Sequence, residues 1–354
     1  MMDRQAEEHV QTTKRKGEHI RICLQEEVQS VGTEPGFEHY RFRHQALPEI
    51  DFEEVDITSS FLGKPIAAPL LISSMTGGTA ETAVINERLA DAAQARGWVM
   101  ALGSMRAAIE KESLASTFHV RKQAPTIPII ANLGAVQLNY GYGVDECRLA
   151  VELAEADALV LHLNSLQEVF QPEGDTNFRG LLQRIAEVCR KLHVPVGVKE
   201  VGWGIDAETA LRLHQIGVAF IDVAGAGGTS WSQVEKYRAR DPLRAEAASA
   251  FAGWGTPTAA CVRDVRSALP EGTLIASGGL HTGVDAAKAV ALGADLAGYG
   301  RSLLAGAAEP QSSGGSETLQ RQMERIEFEL RTAMFGIGAA TLQELRRTNR
   351  LIQR

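Results

Sequence analysis

The sequence predicts an α/β protein with the (β/α)8 TIM-barrel fold, with an N-terminal extension and a C-terminal helical tail. The first observation is that short apolar runs alternate with segments of helical periodicity from residue 70 onward. Strict alternation implies parallel strands with right-handed crossovers, and eight such units close a barrel. The second is that polar clusters follow the apolar runs, whereas the turns after the helices are plainer. The 354 residues could also hold two domains, but barrels take roughly 200 to 250 residues as one.

The eight predicted strands share a short apolar core, and they are residues 70–73, 98–102, 127–131, 158–162, 194–199, 219–223, 273–276 and 295–299. The helices predicted between them share apolar side chains at helical spacing, and they are residues 81–96, 145–155, 178–192, 207–216, 258–269 and 284–292. Gly97, Gly217 and Gly293 lie at or near the ends of three helices, where glycine commonly forms the C-cap.

The N-terminal extension, residues 1–69, is expected to be less regular than the barrel. Residues 1–13 are polar and are expected to be mobile, and the basic run at residues 14–16 opens a predicted helix that reaches about Gln29. Prolines punctuate residues 32–69, which are expected to form a lid or collar rather than a separate domain.

The remaining breaks in the alternation lie after the sixth and eighth strands. Residues 231–257 are predicted to form a long loop over the mouth of the barrel. The barrel is expected to span residues 70–308, and residues 309–354 to form a flexible Ser- and Gly-rich stretch, residues 309–318, followed by a helical tail that packs on the barrel.

Composition and charge narrow the classes of function. With 36 Lys and Arg against 44 Asp and Glu, the net charge is −8, which argues against a general nucleic-acid surface. No apolar stretch is long enough to span a bilayer, and residues 1–20 have no signal-peptide core, so no membrane association and a cytoplasmic location are expected. The four cysteines are far apart without a CxxC pair, and they are expected to be reduced, mostly buried thiols.

The polar cluster after the fourth predicted strand is typical of the floor of a site. His162 and Asn164 share one face of an extended strand, and Gln167 and Glu168 follow them. A histidine satisfied within the core is the alternative for this cluster alone. Active sites of this fold lie at the carboxyl ends of the strands, and comparable clusters follow the other predicted strands, which favours an enzyme.

Glycine-rich strand ends indicate a phosphate site. Gly278 and Gly279 follow the seventh predicted strand, and residues 298–300 end the eighth, where barrels commonly bind phosphate through backbone N–H groups. Gly227, Gly228 and Thr229 follow the sixth strand, and His281 and Arg301 are nearby cations. Single glycines are also needed for tight turns. Three such ends on adjacent strands favour a phosphorylated cofactor or substrate.

Lys199 ends the fifth predicted strand, where its ammonium group would project into the mouth of the barrel. It could form a Schiff base in a desolvated pocket, or it could stabilise negative charge on the ring of a cofactor. Neutral hydrogen-bonding side chains suited to a polar heterocycle end the first three strands, namely Ser73, Ser74, Thr76, Ser104 and Asn132. Together with the phosphate donors, they resemble the outline of a flavin mononucleotide (FMN) site.

Six segments closely resemble the type 2 isopentenyl diphosphate isomerases, which are FMN-dependent barrels. They are residues 15–20 (RKGEHI), 74–78 (SMTGG), 103–106 (GSMR), 162–168 (HLNSLQE), 198–202 (VKEVG) and 226–231 (AGGTSW). The resemblance runs in consistent order from about Arg15 to Arg347. It implies that the chain interconverts isopentenyl diphosphate and dimethylallyl diphosphate, using FMN kept reduced by NAD(P)H, with NADPH as the expected donor, and Mg2+. Residues 1–69 would then cover the substrate, and a homo-oligomer, tetramer or octamer, is implied.

The resemblance also assigns residues. It implies that FMN is bound by Ser74, Met75, Thr76, Ser104, Asn132, Lys199, Thr229, Gly279, Leu280, His281, Tyr299 and Gly300. It implies that the prenyl diphosphate is bound by Arg15, Lys16, Ser104, Met105, Arg106, His162, Asn164 and Gln167. His162 and Gln167 are also the expected catalytic residues, since they would position the substrate while the reduced flavin acts as acid and base. Glu168 is the expected Mg2+ ligand, because one carboxylate together with diphosphate oxygens suits this ion.

Two positions depart from the family pattern. His281 stands where the family commonly has arginine, and Ser302 stands in a segment after the eighth strand that lacks the usual proline. A histidine would hold phosphate more weakly at high pH, so a lower affinity for FMN is expected.

Three alternatives were weighed. An FMN-dependent hydroxy-acid oxidase or dehydrogenase needs a base, typically histidine, after the sixth strand, where residues 225–228 contain none. A Schiff-base aldolase would use Lys199. A flavin-binding barrel without catalytic activity is the non-enzymatic alternative, which the density of polar strand ends disfavours.

Overall fold

The computed structural model describes residues 15–309 and 315–354, and its centre is a closed barrel of eight parallel strands. Three short strands precede the barrel: β1 (Tyr40–Phe42), β2 (Ser59–Phe61) and β3 (Lys64–Ile66). The barrel strands are β4 (Leu70–Ile72), β5 (Val99–Ala101), β6 (Ile129–Gly134), β7 (Ala158–His162), β8 (Val196–Lys199), β9 (Phe220–Asp222), β10 (Thr273–Ser277) and β11 (Leu296–Tyr299). β12 (Leu351–Gln353) ends the chain. The predicted barrel is therefore confirmed, and β11 pairs with β4 to close it.

The helices surround the barrel in the predicted order. They are α1 (residues 15–25), α2 (Ala80–Arg96), α3 (Arg106–Glu110), α4 (Val144–Ala154), α5 (Ser165–Phe170), α6 (Leu181–Lys191), α7 (Ala207–Gln215), α8 (Trp231–Arg238), α9 (Pro242–Ala250), α10 (Thr258–Ala268), α11 (Gly283–Ala291), α12 (Arg301–Ala308), α13 (Gly315–Phe335) and α14 (Leu342–Arg346). The predicted long loop at residues 231–257 is wrong, because this segment forms α8 and α9. Asp241 caps α9, and proline stands at its first turn, where its missing N–H costs nothing.

A plug of apolar side chains fills the lower part of the barrel. Its members come from alternate positions along the strands and include Leu71, Val99, Ala101, Ile130, Ala158, Val160, Phe220, Ile275 and Leu296. The β2–β3 hairpin packs against the same plug through Phe61 and Ile66, and the Phe61 and Phe220 rings meet edge to face at 5.4 Å. The hairpin therefore closes the amino-terminal end of the barrel, opposite the mouth, which differs from the expected collar.

The rest of the extension reaches the mouth. α1 ends at residue 25 instead of Gln29, because Gln29 forms an antiparallel bridge with Thr229, and Ser230 N–H donates to the Val28 carbonyl. Residues 1–13, predicted to be mobile, lie outside the described residues. Farther along, β1 pairs antiparallel with β12, so the C-terminal tail ends in a strand and is not wholly helical.

α13 carries the tail across the outside of the barrel. Its buried side chains recur at helical spacing, namely Leu319, Met323, Ile326, Leu330 and Met334. Gly283, the first residue of α11, lies against the α13 backbone, where a Cβ would collide with the Ile326 carbonyl oxygen. The predicted flexible stretch, residues 309–318, overlaps residues 310–314, which lie outside the described residues, and residues 315–318 belong to α13.

Two arginine–aspartate pairs at the amino-terminal end of the barrel have the same arrangement, and we call each an arginine clamp. Arg121 bonds Asp157 at 2.9 Å, and the same carboxylate accepts the N–H of Ile129, which begins β6. Arg266 bonds Asp295 at 2.7 Å, and that carboxylate accepts the N–H of Leu274 in β10. Both guanidinium groups also bind backbone carbonyls, namely Ala124, Ile127 and Glu155 in one clamp and Leu269, Pro270, Gly272 and Gly293 in the other. The clamps stabilise strand pairs on opposite sides of the barrel.

Replacing Arg266 with methionine should lower the free energy of unfolding by about 2 to 3 kcal/mol, because it strips partners from a carboxylate and several carbonyls. Urea denaturation measures the change. Arg263→Met is the matched control, because the Arg263 side chain is about half exposed and its partners among residues 15–309 and 315–354 are Asp264 and Tyr40 alone. Its loss should cost less than about 1 kcal/mol. Equal losses for the two variants would contradict a structural role for the clamp.

Candidate active site

A cavity of about 260 Å3 opens at the carboxyl ends of the barrel strands. Its lining includes residues that follow all eight strands, together with residues of α1 and α8. A second cavity, near α10 and the start of β9, measures only about 10 Å3, too small for a ligand larger than water. The polar strand ends predicted from the sequence therefore converge on one mouth.

The bottom of this cavity is a ring of inward-facing positions that lie two residues beyond an apolar plug residue, except on β8, where Gly197 takes the plug position. We call this ring the polar floor. It consists of Ser73, Gly103, Asn132, His162, Lys199, Ser277 and Gly298, which line the cavity, together with Asp222, which occupies the same position on β9 without lining it. Side chains in a strand alternate between faces, so a residue two places after a plug residue again points into the barrel. Successive inward-facing positions on a strand therefore differ in character. The first belongs to the apolar core, and the next can form hydrogen bonds in the cavity.

His162 is a neutral imidazole on this floor. Its Nδ1 lies 2.8 Å from Asn132 Oδ1, which accepts the Nδ1 proton and leaves the Nε2 lone pair free. Burial, with the positive charges of Lys199, Lys16 and Arg15 nearby, lowers the pKa of His162 to about 3. The ring can therefore accept a hydrogen bond across the physiological pH range, but it does not carry a charge.

Lys199 supplies a cation to the floor. Its Nζ donates to the carbonyl oxygen of Glu200. Lys199 and Asp222 are opposite each other in the register of the paired strands β8 and β9. The Glu200 carboxylate fixes this turn by accepting backbone N–H groups from Val201 to Gly204, although burial raises its pKa to about 7.

Asp222 was not identified from the sequence. Its side chain is only 3% exposed, its Oδ1 accepts from Ser277 Oγ at 2.6 Å, and burial raises its pKa. The signal that would have identified it is the alternation Phe220, Ile221, Asp222, which puts a carboxylate inward beside Lys199.

Two glycine turns form a cradle of bare backbone. A Cβ on Gly228 would lie 2.6 Å from the Gly279 nitrogen, and a Cβ on Gly279 would lie 2.8 Å from the Gly227 carbonyl. Gly278 and Gly279 also have positive φ values of 103° and 79°, which favour glycine. The turns after β9 and β10 can therefore expose N–H groups at one place, and Gly300, the N-cap of α12, lines the same cavity.

Three side chains that line the cavity have a buried hydroxyl or amide oxygen without a hydrogen-bond partner among the described residues. They are Ser73 Oγ, Ser74 Oγ and Asn164 Oδ1. Unsatisfied buried polar atoms are costly, so these groups suit a polar ligand. Neutral donors, a lysine and a backbone phosphate cradle fit the ring, ring edge and phosphate of FMN.

α1 covers the mouth with one face. Arg15, Lys16, His19, Ile20 and Cys23 recur at helical spacing, and all line the cavity. Lys16 Nζ donates to the Ser104 carbonyl at 2.5 Å and lies 5.3 Å from the centre of the Phe118 ring. Burial beside Arg15 lowers the pKa of Lys16 to about 7.

The cluster after β7 forms one hydrogen-bonded group. Asn164 Nδ2 donates to Glu168 Oε1 at 2.7 Å and lies 3.3 Å from Gln167 Oε1. Gln167 Nε2 donates at 3.1 Å to Glu235, a fully buried carboxylate of α8 that also binds His19. Burial raises the pKa of Glu168. Gln167 and Glu168 thus lie beside each other, with their orientations fixed from two sides.

Most of the residues assigned by resemblance line the cavity. The exceptions are Met105 and Tyr299. Met105 is fully buried, and its N–H donates to the Asn132 carbonyl. The Tyr299 ring packs at 5.8 Å from Trp98 outside the barrel, and its hydroxyl donates to the Thr282 carbonyl, because it follows the inward Gly298 by one residue. The Tyr299 side chain is therefore directed away from the cavity, so the predicted contact with the cofactor would have to be made by the Tyr299 backbone.

Two further findings concern residues 15–309 and 315–354. None of their helices combines the length and apolar character needed to cross a bilayer. No three His, Cys, Asp or Glu side chains in them form a group suited to a metal ion.

Comparisons with known proteins agree with this geometry. The profile of the family described as FMN-dependent dehydrogenase matches residues 10–125 and 162–353. A protein of Oceanobacillus iheyensis named isopentenyl-diphosphate delta-isomerase is 54% identical over 337 residues, covering 95% of each chain. Its namesake in Nostoc sp. is 51% identical over 341 residues, covering 96% of each.

Solved structures share the fold at low sequence identity. A lactate oxidase of Pediococcus acidilactici has a TM-score of 0.65 at 19% identity, covering 90% of this chain and 84% of that one. An (S)-mandelate dehydrogenase has a TM-score of 0.66 at 18% identity, covering 98% and 99%. These structures support the barrel alone. Because the curated relatives are about half identical over nearly the whole length, the chain belongs to the type 2, FMN-dependent isopentenyl-diphosphate delta-isomerases.

Proposed function

We propose that this cavity interconverts isopentenyl diphosphate and dimethylallyl diphosphate on FMN, with Mg2+ bound beside the diphosphate and NADPH as the electron donor that keeps FMN reduced. The isomerase activity and FMN follow from the family to which the chain belongs. The observation that carries the assignment of the cavity is its division into two sides. A hydrogen-bonding floor with one lysine and a glycine cradle lies below, and a helix face that carries Arg15 and Lys16 lies above.

The floor would hold FMN. Ser74, Asn132 and Lys199 lie where they can bind the ring, and the Gly228 and Gly279 backbones can bind the phosphate. When bound and reduced, FMN supplies electron density and an acid–base group beside the alkene. Lys199 would stabilise negative charge on the ring, because its ammonium is fixed to the Glu200 carbonyl on the floor.

The diphosphate would bind under α1. Arg15, Lys16 and Arg106 line one side of the cavity, and their positive charge suits phosphate oxygens in a site shielded from water. Glu168 lies on the same side and would hold Mg2+ together with the diphosphate, because Mg2+ prefers carboxylate, phosphate and water oxygens. The protein has a negative net charge, so these local cations are what would attract an anionic substrate.

The isomerisation adds a proton at one carbon and removes one from another, with no net oxidation. Neutral His162 and the oriented amide of Gln167 would position the diphosphate and the alkene without adding positive charge beside a carbocation-like transition state. Ile20 and Trp231 line the same cavity and would keep water away from the alkene.

The test is to load the purified protein with FMN, reduce it anaerobically with NADPH, add Mg2+ and follow isopentenyl diphosphate by NMR. We expect dimethylallyl diphosphate to form until both isomers reach equilibrium. Lactate and mandelate should not reduce the bound FMN, because residues 225–228 provide no histidine base. Absence of isomerisation in a loaded, reduced protein would contradict the proposal.

Diphosphate binding should take up a proton above pH 7. The ligand-free pKa of Lys16 is about 7, so Lys16 is largely neutral at pH 8, and a bound anion favours its charged form. Affinity should therefore fall as pH rises above 7. Calorimetric titration of Mg2+ and inorganic pyrophosphate at pH 8, in two buffers of different ionisation enthalpy, measures the uptake. Lys16→Met is the control for the ligand's own protonation, and equal uptake by both proteins would contradict the assignment.

A further inference from the structure

Asp175, in the loop after α5, bonds two residues that line the diphosphate side of the cavity, Glu168 and Arg106. Its backbone N–H donates to Glu168 Oε2 at 2.6 Å. Its side-chain Oδ2 accepts from Arg106 Nη1 at 3.0 Å and from Gln137 Nε2 at 3.0 Å. One residue therefore bonds the expected metal ligand through its backbone and an expected diphosphate ligand through its carboxylate.

The backbone of the preceding residue supports this arrangement independently. Gly174 lies so close to α5 that a Cβ would collide with the Glu168 carbonyl oxygen. The close approach brings the Asp175 N–H within reach of the Glu168 side chain. Asn164 binds the other carboxylate oxygen at 2.7 Å, so Glu168 is held from both sides.

The same arrangement limits the movement of Arg106. Its Nε donates to Glu110 at 2.6 Å, while its Nη1 binds Asp175. The two carboxylates hold the planar guanidinium by two of its nitrogens, Nε and Nη1. A long side chain fixed in this way loses less conformational entropy when it binds an anion.

We propose that Asp175 is a positioning residue that sets the spacing between Glu168 and Arg106, so that a metal ion and the diphosphate it accompanies are bound as one unit. This inference rests on the proposed function, because it assumes that Glu168 and Arg106 bind Mg2+ and diphosphate. Asp175 acts through these two residues. Such outer partners of a ligand commonly contribute 10- to 100-fold to metal affinity.

Glu173 provides a matched control in the same loop. Its carboxylate lies 3.6 Å from Arg15 and 3.0 Å from Arg238, so it also pairs with cations near the mouth. Within the part of the chain that the structure describes, the Glu173 carboxylate pairs with Arg15 and Arg238 and not with the Glu168 group. A general loss of negative charge from the loop should therefore affect both variants alike, whereas the proposed link should affect only Asp175.

The test compares Asp175→Ala, Asp175→Asn and Glu173→Ala as oxidised, FMN-loaded proteins that do not turn over. Calorimetry measures the affinity for inorganic pyrophosphate with and without Mg2+. We expect Asp175→Ala to weaken Mg2+-dependent binding by about 10-fold or more. Asp175→Asn should recover part of this loss, because the amide oxygen can still accept from Arg106. The melting temperature and FMN affinity should change little.

Kinetics of the reduced enzymes provide a second readout. The Mg2+ concentration for half-maximal rate and the KM should both rise in Asp175→Ala, with a smaller change in kcat. Equal effects of Asp175→Ala and Glu173→Ala, or Mg2+ dependence within twofold of the parent, would overturn the proposal. If the parent protein itself neither isomerises substrate nor binds Mg2+ with pyrophosphate, the proposed function fails, and this inference fails with it.

Discussion

Replacing Lys199 with methionine should lower kcat by about 10² to 10³-fold, the range found when a preorganised charge-stabilising group is removed from an active site. The Lys199 ammonium is fixed on the polar floor by the Glu200 carbonyl, and methionine fills similar volume without a charge. The bound flavin should also become harder to reduce, because the reduced ring loses a nearby cation. Steady-state kinetics at saturating FMN and a potentiometric titration measure the two effects.

Lys191→Met is the control for Lys199→Met. Lys191 lies on α6, about half exposed, and its amino group pairs with Glu187 on the same helix. Its loss should leave kcat and the flavin potential unchanged. A Lys199→Met enzyme within about threefold of the parent in kcat, with an unchanged potential, would show that the floor cation has no part in the reaction.

Replacing Glu168 with glutamine should chiefly impair the use of Mg2+. Glutamine keeps the shape of the side chain, and its single amide oxygen can still accept from Asn164 or from Asp175, although not from both. It lacks the charge that Mg2+ prefers. We expect a fall in Mg2+ affinity beyond the 10- to 100-fold typical of outer partners, since Glu168 is assigned as the ligand. The measurement is the isomerisation rate as a function of Mg2+ concentration.

The matched substitution for Glu168→Gln is Glu187→Gln on the surface of α6, where the side chain is about half exposed. That variant should retain the parent's dependence on Mg2+. If Glu168→Gln also retained it, Glu168 would not be the metal ligand, and the diphosphate would have to bind its ion elsewhere.

The barrel was predictable because its signal is local. Each strand is a short apolar run and each main helix an amphipathic segment, so periodicity alone gave eight units in the right order. The position of the β2–β3 hairpin at the amino-terminal end of the barrel was not predictable, because its packing against Phe220 joins residues that are far apart in the chain. The helices α8 and α9 were missed because neither has a strong apolar stripe.

The candidate site was predictable where its residues end strands. His162, Asn132 and Lys199 could be placed in the mouth from their positions alone. Asp175 could not, because its importance comes from a loop that returns to Glu168, and no periodic pattern marks such a contact. The outward direction of the Tyr299 side chain was not predictable either, since a motif match does not state which way a strand side chain points.

If one cavity adds and removes protons on a prenyl diphosphate, the reaction should consume no reductant. An NMR experiment in D2O tests this with FMN-loaded enzyme, Mg2+, isopentenyl diphosphate in large excess and only enough NADPH to reduce the flavin. We expect many turnovers per NADPH and deuterium in a methyl group of dimethylallyl diphosphate. Product limited to one equivalent per NADPH, or formed without deuterium from solvent, would contradict this expectation.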